Sequence, residues 1–206
     1  MHNKLFFQNI LYSALLFMKK LITIFGPSEC KPESALYKTA EQLGIMLAES
    51  GFGVVNGGYE GVMEAVSRGA RSGNGGAIGI TAEVYFARGR DANEFITKEI
   101  TVKSSVDRLI ELLDLADAYI ASGVSPGTLV EVATAWDYML KGFIEQKPLI
   151  LMGEEWGELC EILFAQDSYK GKKHLVMFVT TPEEALEQLI LNFGKQEKLP
   201  ELDIIS

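Results

Sequence analysis

Glycines follow the apolar run at residues 52–55 in a pattern that suits an anion-binding loop. Gly57 and Gly58 come directly after this run, and Gly61 precedes a segment with helical periodicity. Glycine lets the backbone approach a ligand closely. The free N–H groups and the partial positive charge at the start of the following helix favour phosphate. The pattern therefore predicts a phosphate-binding loop, although tight packing also selects glycines of this kind.

Two further segments between a predicted strand and a predicted helix carry hydroxyl groups. Ser125, Gly127 and Thr128 follow the apolar run at 118–121, and the Thr128 hydroxyl adds a donor to the backbone N–H groups. Ser28 follows the first apolar run, where its side chain can either hydrogen-bond a ligand or cap the next helix. We expect these residues to contact the same ligand as the glycines.

Arg108 and Glu131 are charged side chains whose positions bear on chemistry. Arg108 stands in the first turn of a predicted helix, where a cation opposes the helix dipole, so helix stability gives no reason for it. It is either aimed at a phosphate or carboxylate, or paired on the surface with Asp107 or Glu111. Glu131 follows Thr128 by three residues. That spacing is typical of a capping box, which local helix chemistry favours over a catalytic role.

These segments meet only if the surrounding elements form one sheet. Short apolar, β-branched runs alternate with helical patterns, which is typical of repeated βαβ units. The predicted strands are residues 21–25, 52–55, 77–80, 99–102, 118–121, 148–151 and 175–179. The predicted helices run over about residues 32–50, 62–70, 105–116, 128–142, 155–164 and 182–193, with a loop at 82–98 over the sheet edge.

This alternation predicts an α/β fold with a Rossmann-like, doubly wound, mainly parallel sheet and helices on both faces. In such a sheet, ligands bind beyond the carboxyl ends of the strands, near the point where the strand order reverses. The segments at 26–29, 56–61 and 122–128 would all open on that edge. We therefore predict that they form one nucleotide-phosphate site.

The length of 206 residues suffices for one well-buried core and is too short for two full domains. We assign residues 1–18 to an N-terminal extension, 19–194 to the nucleotide-binding domain and 195–206 to a C-terminal tail. The apolar stretch at 5–18 is interrupted by polar residues and is shorter than a membrane span. An amphipathic surface helix is expected there, with Met18 as an alternative start, and no membrane association is predicted.

The composition disfavours several classes of partner and site. The formal net charge of −9 disfavours nucleic acid, because such binding draws its affinity from Lys and Arg neutralising phosphates. Two histidines, His2 and His174, argue against a zinc site or a His-based triad. Cys30 and Cys160 fit no disulfide or metal spacing, which indicates reduced thiols in a cytoplasmic protein. We predict a small-molecule ligand and neither a metal nor a redox cofactor.

The run NGGYEGVMEAVSRGA at residues 56–70 resembles the glycine-rich signature of the LOG (Lonely Guy) family, once called lysine-decarboxylase-like. Arg108, the segment DAYIA at 117–121 and the segment GTLVE at 127–131 follow in the order and spacing of that family. The resemblance covers about residues 19–180.

The resemblance implies a Rossmann-like homodimer or higher homo-oligomer that hydrolyses the N-glycosidic bond of nucleoside 5′-monophosphates. The products would be a purine-type base and ribose 5-phosphate. Arg108 and Glu131 stand at the positions of the family's key polar pair. The loops at 57–61 and 125–128 would bind phosphate and ribose through backbone N–H groups, and no cofactor is implied.

The sequence also departs from the family's pattern. Val124 and Ser125 replace two glycines of its Pro-Gly-Gly-x-Gly-Thr loop, and Leu109 stands where a lysine commonly follows the arginine. A related branch contains uncharacterised proteins and molybdenum-cofactor carriers, which bind a pterin nucleotide without cleaving it. A non-catalytic nucleotide or molybdenum-cofactor carrier is therefore the alternative function, because binding tolerates lost positioning better than catalysis does. The acidic composition disfavours a DNA-processing module on the same fold.

Overall fold

The predicted alternation of strands and helices is confirmed in the computed structural model, which describes residues 20–86, 89–166 and 173–196. The strands are β1 Leu21–Phe25, β2 Gly53–Asn56, β3 Ala77–Ala82, β4 Lys98–Val102, β5 Ala118–Ser122, β6 Leu149–Met152 and β7 Met177–Val179. The helices are α1 Ala35–Glu49, α2 Val62–Ser72, α3 Glu83–Phe86, α4 Ser105–Asp114, α5 Pro126–Lys141, α6 Glu154–Phe164 and α7 Pro182–Gln196.

The strands form one parallel sheet in the order β4-β3-β2-β1-β5-β6-β7. The chain builds outward from β1 to β4 on one side, then returns to the centre, where Ile24 of β1 pairs with Ile120 of β5. The strand order therefore reverses between β1 and β5. Loops that leave these two strands in opposite directions open a crevice at their carboxyl ends.

Helices cover both faces of the sheet, so the central strands are apolar on both sides. Ile22 and Ile24 of β1 pack into a cluster with α1, α2 and α7, whereas Phe25 joins a second cluster with α4, α5 and α6. Thr23 is fully buried, and its hydroxyl donates to the Leu112 carbonyl at 3.0 Å. Each large apolar side chain buried this way contributes about 1.5–3 kcal/mol. The strands read as continuous apolar runs for this reason.

The segment at 82–98, predicted as a loop, contains the short helix α3, and the other differences between the prediction and the structure fall at the ends of elements. α1 begins at Ala35, because Ser34 caps the helix by accepting a hydrogen bond from the Tyr37 N–H at 3.2 Å. The last predicted strand is shortened by the 3-10 turn Lys173–Leu175 that precedes it. α7 continues to Gln196, beyond the limit predicted for the domain. Local capping and turn contacts set these boundaries, and hydrophobic periodicity does not register them.

Several predictions from the sequence concern the two ends of the chain, the cysteines and side chains that could bind a metal ion. The predicted extension at 1–18 and the tail after Gln196 lie outside the described residues. Within the described ranges, no helix has the length and apolar character needed to cross a membrane. Cys30 and Cys160 are both free thiols. In the same ranges, no cluster of three or more His, Cys, Asp or Glu side chains is placed to hold a metal ion.

Candidate functional site

A cavity of about 550 Å³ lies at the carboxyl ends of β1 and β5, where the strand order reverses. Its volume is within the range of about 300–1,000 Å³ that small-molecule sites occupy. The walls come from the loops after β1, β2 and β5, from α4 and α5, and from the segment that follows β3. Six predicted site residues line it: Ser28, Arg108, Ser125, Gly127, Thr128 and Glu131.

Arg108 reaches the cavity from the first turn of α4. The start of this helix is stabilised by a capping box in which Ser104 and Asp107 bond each other's backbone N–H groups. Asp107 is thus engaged, and surface pairing with it does not explain the arginine. The Arg108 side chain is only 13% exposed, and its Nε–H donates to the Ile80 carbonyl at 2.7 Å. This bond to β3 directs the guanidinium into the site.

The Arg108 guanidinium is enclosed by aromatic rings and sulfur. Its Cζ lies 5.4 Å from the centre of the Tyr59 ring and 5.9 Å from that of Tyr85, and Nη2 lies 3.6 Å from Met63 Sδ. A Cβ atom at Gly57 would overlap Nη2 and stand 2.6 Å from Cζ. Gly57 is therefore required for a reason that its sequence neighbours do not reveal: the guanidinium packs directly on its backbone.

Glu131 lies on α5 and faces Arg108 in the cavity. Arg108 Nη1 and Glu131 Oε1 are 4.0 Å apart, and the glutamate side chain is 17% exposed. Burial raises the pKa of the Glu131 carboxyl to about 7, while the positive charge of Arg108 acts in the opposite direction. A carboxyl group that titrates near neutrality can both accept and donate a proton at physiological pH.

The capping-box interpretation of Thr128 and Glu131 is wrong. α5 is capped by Ser125, whose Oγ accepts a hydrogen bond from the Thr128 N–H at 3.2 Å. Pro126 occupies the first helical position, so Thr128 stands where a capping box places its second residue and Glu131 lies further along the helix. The Glu131 carboxylate is therefore not engaged at the start of the helix and is available to the cavity.

The start of α5 offers a mixed set of donors to a ligand. Pro126 has no N–H, and Ser125 accepts hydrogen bonds from the N–H groups of Thr128 and Leu129. The Ser125 and Thr128 hydroxyls lie 2.8 Å apart. Ser125, Gly127 and Thr128 line the cavity at the start of this helix, in the field of the helix dipole.

The glycines at 57, 58 and 61 do not line the cavity themselves. The Gly58 N–H donates to Asn56 Oδ1 at 2.8 Å with φ +80°, a conformation that favours glycine. At Gly61, where φ is +70°, a Cβ atom would stand 2.7 Å from the Ser28 Cα. These glycines fold the loop after β2 against the loop after β1 and make room for Arg108. Their neighbours Tyr59 and Met63 line the cavity instead.

Residues 19–186 of the chain match the model of the SLOG cluster4 family. The chain belongs to that family. An uncharacterized protein of Archaeoglobus fulgidus is 34% identical over 115 residues, which are 55% of this chain and 72% of that protein. The family match agrees with the LOG-like fold that the sequence predicts.

Two solved structures are similar to this SLOG cluster4 protein over most of its length. The molybdenum cofactor binding protein of Rippkaea orientalis is 28% identical to this chain. The match has a TM-score of 0.69 and covers 85% of this chain and 98% of that one. The molybdenum cofactor carrier protein of Chlamydomonas reinhardtii is 24% identical, with a TM-score of 0.67 over 85% and 99% of the two chains. The second likeness shows the shared fold alone.

Several residues that line the cavity were not predicted as site residues from the sequence, among them Tyr59, Met63, Tyr85 and Arg90. Tyr59 and Met63 lie in the same run as the predicted glycines, and both line the cavity beside Arg108. Their apolar character is equally typical of core residues, so pattern alone does not separate them. Tyr85 and Arg90 also line the cavity. They belong to the segment at 82–98, which has no periodicity that would indicate where its side chains lie.

Proposed function

We propose that the cavity binds a nucleoside 5′-monophosphate and hydrolyses its N-glycosidic bond to a free base and ribose 5-phosphate. The observation that carries this proposal is the Glu131 carboxyl, held in the cavity beside Arg108 with a pKa of about 7. Such a pKa suits general acid–base catalysis at neutral pH. Burial of this carboxyl group also costs folding free energy, which a carboxylate with no function in the cavity would avoid by lying in solvent.

The proposed reaction moves one proton through Glu131. Cleavage of the bond between ribose C1′ and the base nitrogen leaves positive charge on the sugar ring, as in glycoside hydrolysis generally. The Glu131 carboxylate stabilises this charge and accepts a proton from the water that adds to C1′. The same carboxyl then returns the proton to the leaving base, so one water is consumed and Glu131 is regenerated.

Arg108 acts in this scheme as a positioning residue. Its bond to the Ile80 carbonyl and its packing against Tyr59 and Tyr85 fix the guanidinium, which in turn holds the carboxylate of Glu131. Ser28 and the start of α5 supply hydroxyl and backbone donors to the phosphate and ribose. Ser28 is available for this because Ser34 caps α1. A homo-oligomer and a cytoplasmic location remain predictions that accompany this proposal.

A second candidate function is a carrier that binds a nucleotide-like cofactor without cleaving it. Ser125 stands where the LOG loop has a glycine, and its side chain occupies the Thr128 N–H that a phosphate would otherwise use. The 28% identical protein of Rippkaea orientalis is a molybdenum cofactor binding protein. A cavity of about 550 Å³ accommodates either type of ligand.

Incubation of the purified protein with AMP and other nucleoside monophosphates separates the two candidates. Release of free base, measured by chromatography, supports hydrolysis. Absence of release together with a nucleotide-dependent rise in Tm rejects hydrolysis and retains the carrier function. Absence of both rejects a nucleotide site of either kind.

We expect kcat/KM for base release to rise with pH and to level off above about pH 7. The reason is that the Glu131 carboxylate is the active form and its pKa is about 7 in the folded protein. Arg108→Gln should move the midpoint to higher pH, since the guanidinium lowers the pKa of Glu131. The measurement is a pH–rate profile of both proteins. A profile that is flat through neutrality would remove Glu131 from the proton transfer.

A further inference from the structure

The guanidinium of Arg108 is fixed by contacts within the protein. Nε donates to the Ile80 carbonyl, Nη2 faces Met63 Sδ over the Gly57 backbone, and Nη1 faces Glu131. Bidentate binding of a phosphate needs two N–H groups that point the same way and are free. A phosphate at Nη1 would compete with the attraction between this atom and the Glu131 carboxylate, which lies 4.0 Å away. A second cation on the cavity would bind the ligand's phosphate without this competition.

Arg90 provides a cation on the same cavity. It is exposed, and no hydrogen bond or ion pair engages its guanidinium within the described ranges. Its backbone N–H donates to the Tyr85 carbonyl at 3.1 Å, in the turn that follows α3. The turn thus places Tyr85 and Arg90 together on the lining, with the guanidinium still available to a ligand.

The loop that carries Arg90 is fastened to the site by Asn93. The Asn93 side chain donates to the carbonyls of Gly58 and Tyr59 at 3.0 and 2.8 Å, and its backbone N–H donates to the Gly58 carbonyl at 2.8 Å. Asn93 Oδ1 also accepts from the Phe95 N–H. These bonds join the loop that carries Arg90 to the turn after β2, beside the cavity.

The charges that line the cavity favour a role for Arg90 in anion binding. The lining includes two carboxylates, Glu29 and Glu131, and two guanidinium groups, Arg90 and Arg108. Glu29 adds a negative charge to the lining, and Arg90 offsets it. The protein as a whole carries a charge of −9, which also repels an anion.

We propose that Arg90 binds the phosphate of the ligand and thereby selects phosphorylated over unphosphorylated nucleosides. This inference rests on the proposed nucleotide site and deepens it. Arg108 then organises the catalytic carboxyl, while Arg90 recognises the anion. These separate roles explain why the cavity contains two arginines that differ in their surroundings. Arg108 is largely buried and bonded to the Ile80 carbonyl, whereas Arg90 is exposed.

The test compares Arg90→Gln with the matched variant Arg71→Gln. Arg71 supports the same loop from outside the cavity, where its Nη1 donates to the Glu94 carbonyl at 2.9 Å. We expect Arg90→Gln to weaken binding of AMP and ribose 5-phosphate by about 10–100-fold, the usual effect of a lost charged hydrogen bond. Binding of adenosine should change by less than about twofold in both variants. Isothermal titration calorimetry measures all three ligands.

The outcomes separate this inference from the proposed function. Equal affinity of Arg90→Gln and the wild type for ribose 5-phosphate overturns the inference, as does an equal loss in Arg71→Gln. Arg90-dependent binding of ribose 5-phosphate without base release from AMP upholds the inference and rejects hydrolysis. If the wild type binds no phosphorylated probe, both are rejected.

Discussion

Glu131→Gln is expected to slow base release strongly and, at about pH 8, to raise the free energy of unfolding. Glutamine keeps the shape of the side chain but cannot transfer a proton, so kcat should fall by about 10²–10⁴-fold. The gain in stability follows from the pKa of Glu131, which burial raises from 4.5 to about 7. Above pH 7 the native wild type must hold a buried carboxylate, whereas the variant holds a neutral amide.

The sign of this effect depends on pH in a defined way. Below about pH 4.5, Glu131 is protonated in both folded and unfolded chains, and the variant has no electrostatic advantage. Between about pH 4.5 and 7 the unfolded chain ionises first, and the wild type loses stability relative to the variant. The full difference is at most about 3 kcal/mol.

Denaturant unfolding at about pH 5 and about pH 8, together with base release, measures both parts of the prediction. Glu158→Gln is the matched control, because Glu158 is exposed on α6 and does not line the cavity. We expect this control to keep its activity and to show no such pH-dependent gain. A Glu131→Gln protein that loses stability and activity together would indicate that the carboxylate serves the fold.

Gly57→Ala is expected to reduce kcat/KM by about 100-fold through Arg108. The new Cβ atom would overlap Nη2 of Arg108 and stand 2.7 Å from Met63 Sδ. The guanidinium must then leave its place between the Ile80 carbonyl and Glu131. Misplacement of catalytic groups by about 1 Å costs activity on this scale, and overpacking of the site should lower stability by about 1–3 kcal/mol.

The variant is tested by steady-state kinetics and by unfolding, with Gly157→Ala as its control. Gly157 lies in α6, where an added Cβ atom would meet open space, so alanine there should stabilise the protein by about 0.5–1 kcal/mol and leave activity unchanged. If Gly57→Ala acts through Arg108, adding it to Arg108→Ala should reduce activity little further. A full additional loss in the double variant would contradict this mechanism.

The order of the strands and of the longer helices was determined by the sequence alone, whereas the short helix α3 was not predicted. Each strand from β1 to β6 lies within a residue or two of its predicted position. The reason for the central strands is that strands covered on both faces need unbroken apolar runs. The reversal of strand order then places the loops after β1 and β5 together, since parallel strands share one carboxyl edge. Ser28, Arg108, Ser125 and Glu131 could be assigned to one edge on this basis.

Only the tertiary structure decided what those residues do to one another. The spacing of Thr128 and Glu131 fits a capping box. In the structure Ser125 caps the helix instead, so the Glu131 carboxylate is available to face Arg108. Gly57 lies in a pattern typical of a phosphate-binding loop. In the structure, its lack of a side chain makes room for the guanidinium of Arg108. Spacing along the chain records local hydrogen bonds and periodicity. Contacts between distant elements, and the burial that shifts a pKa, arise only when the sheet brings those elements together.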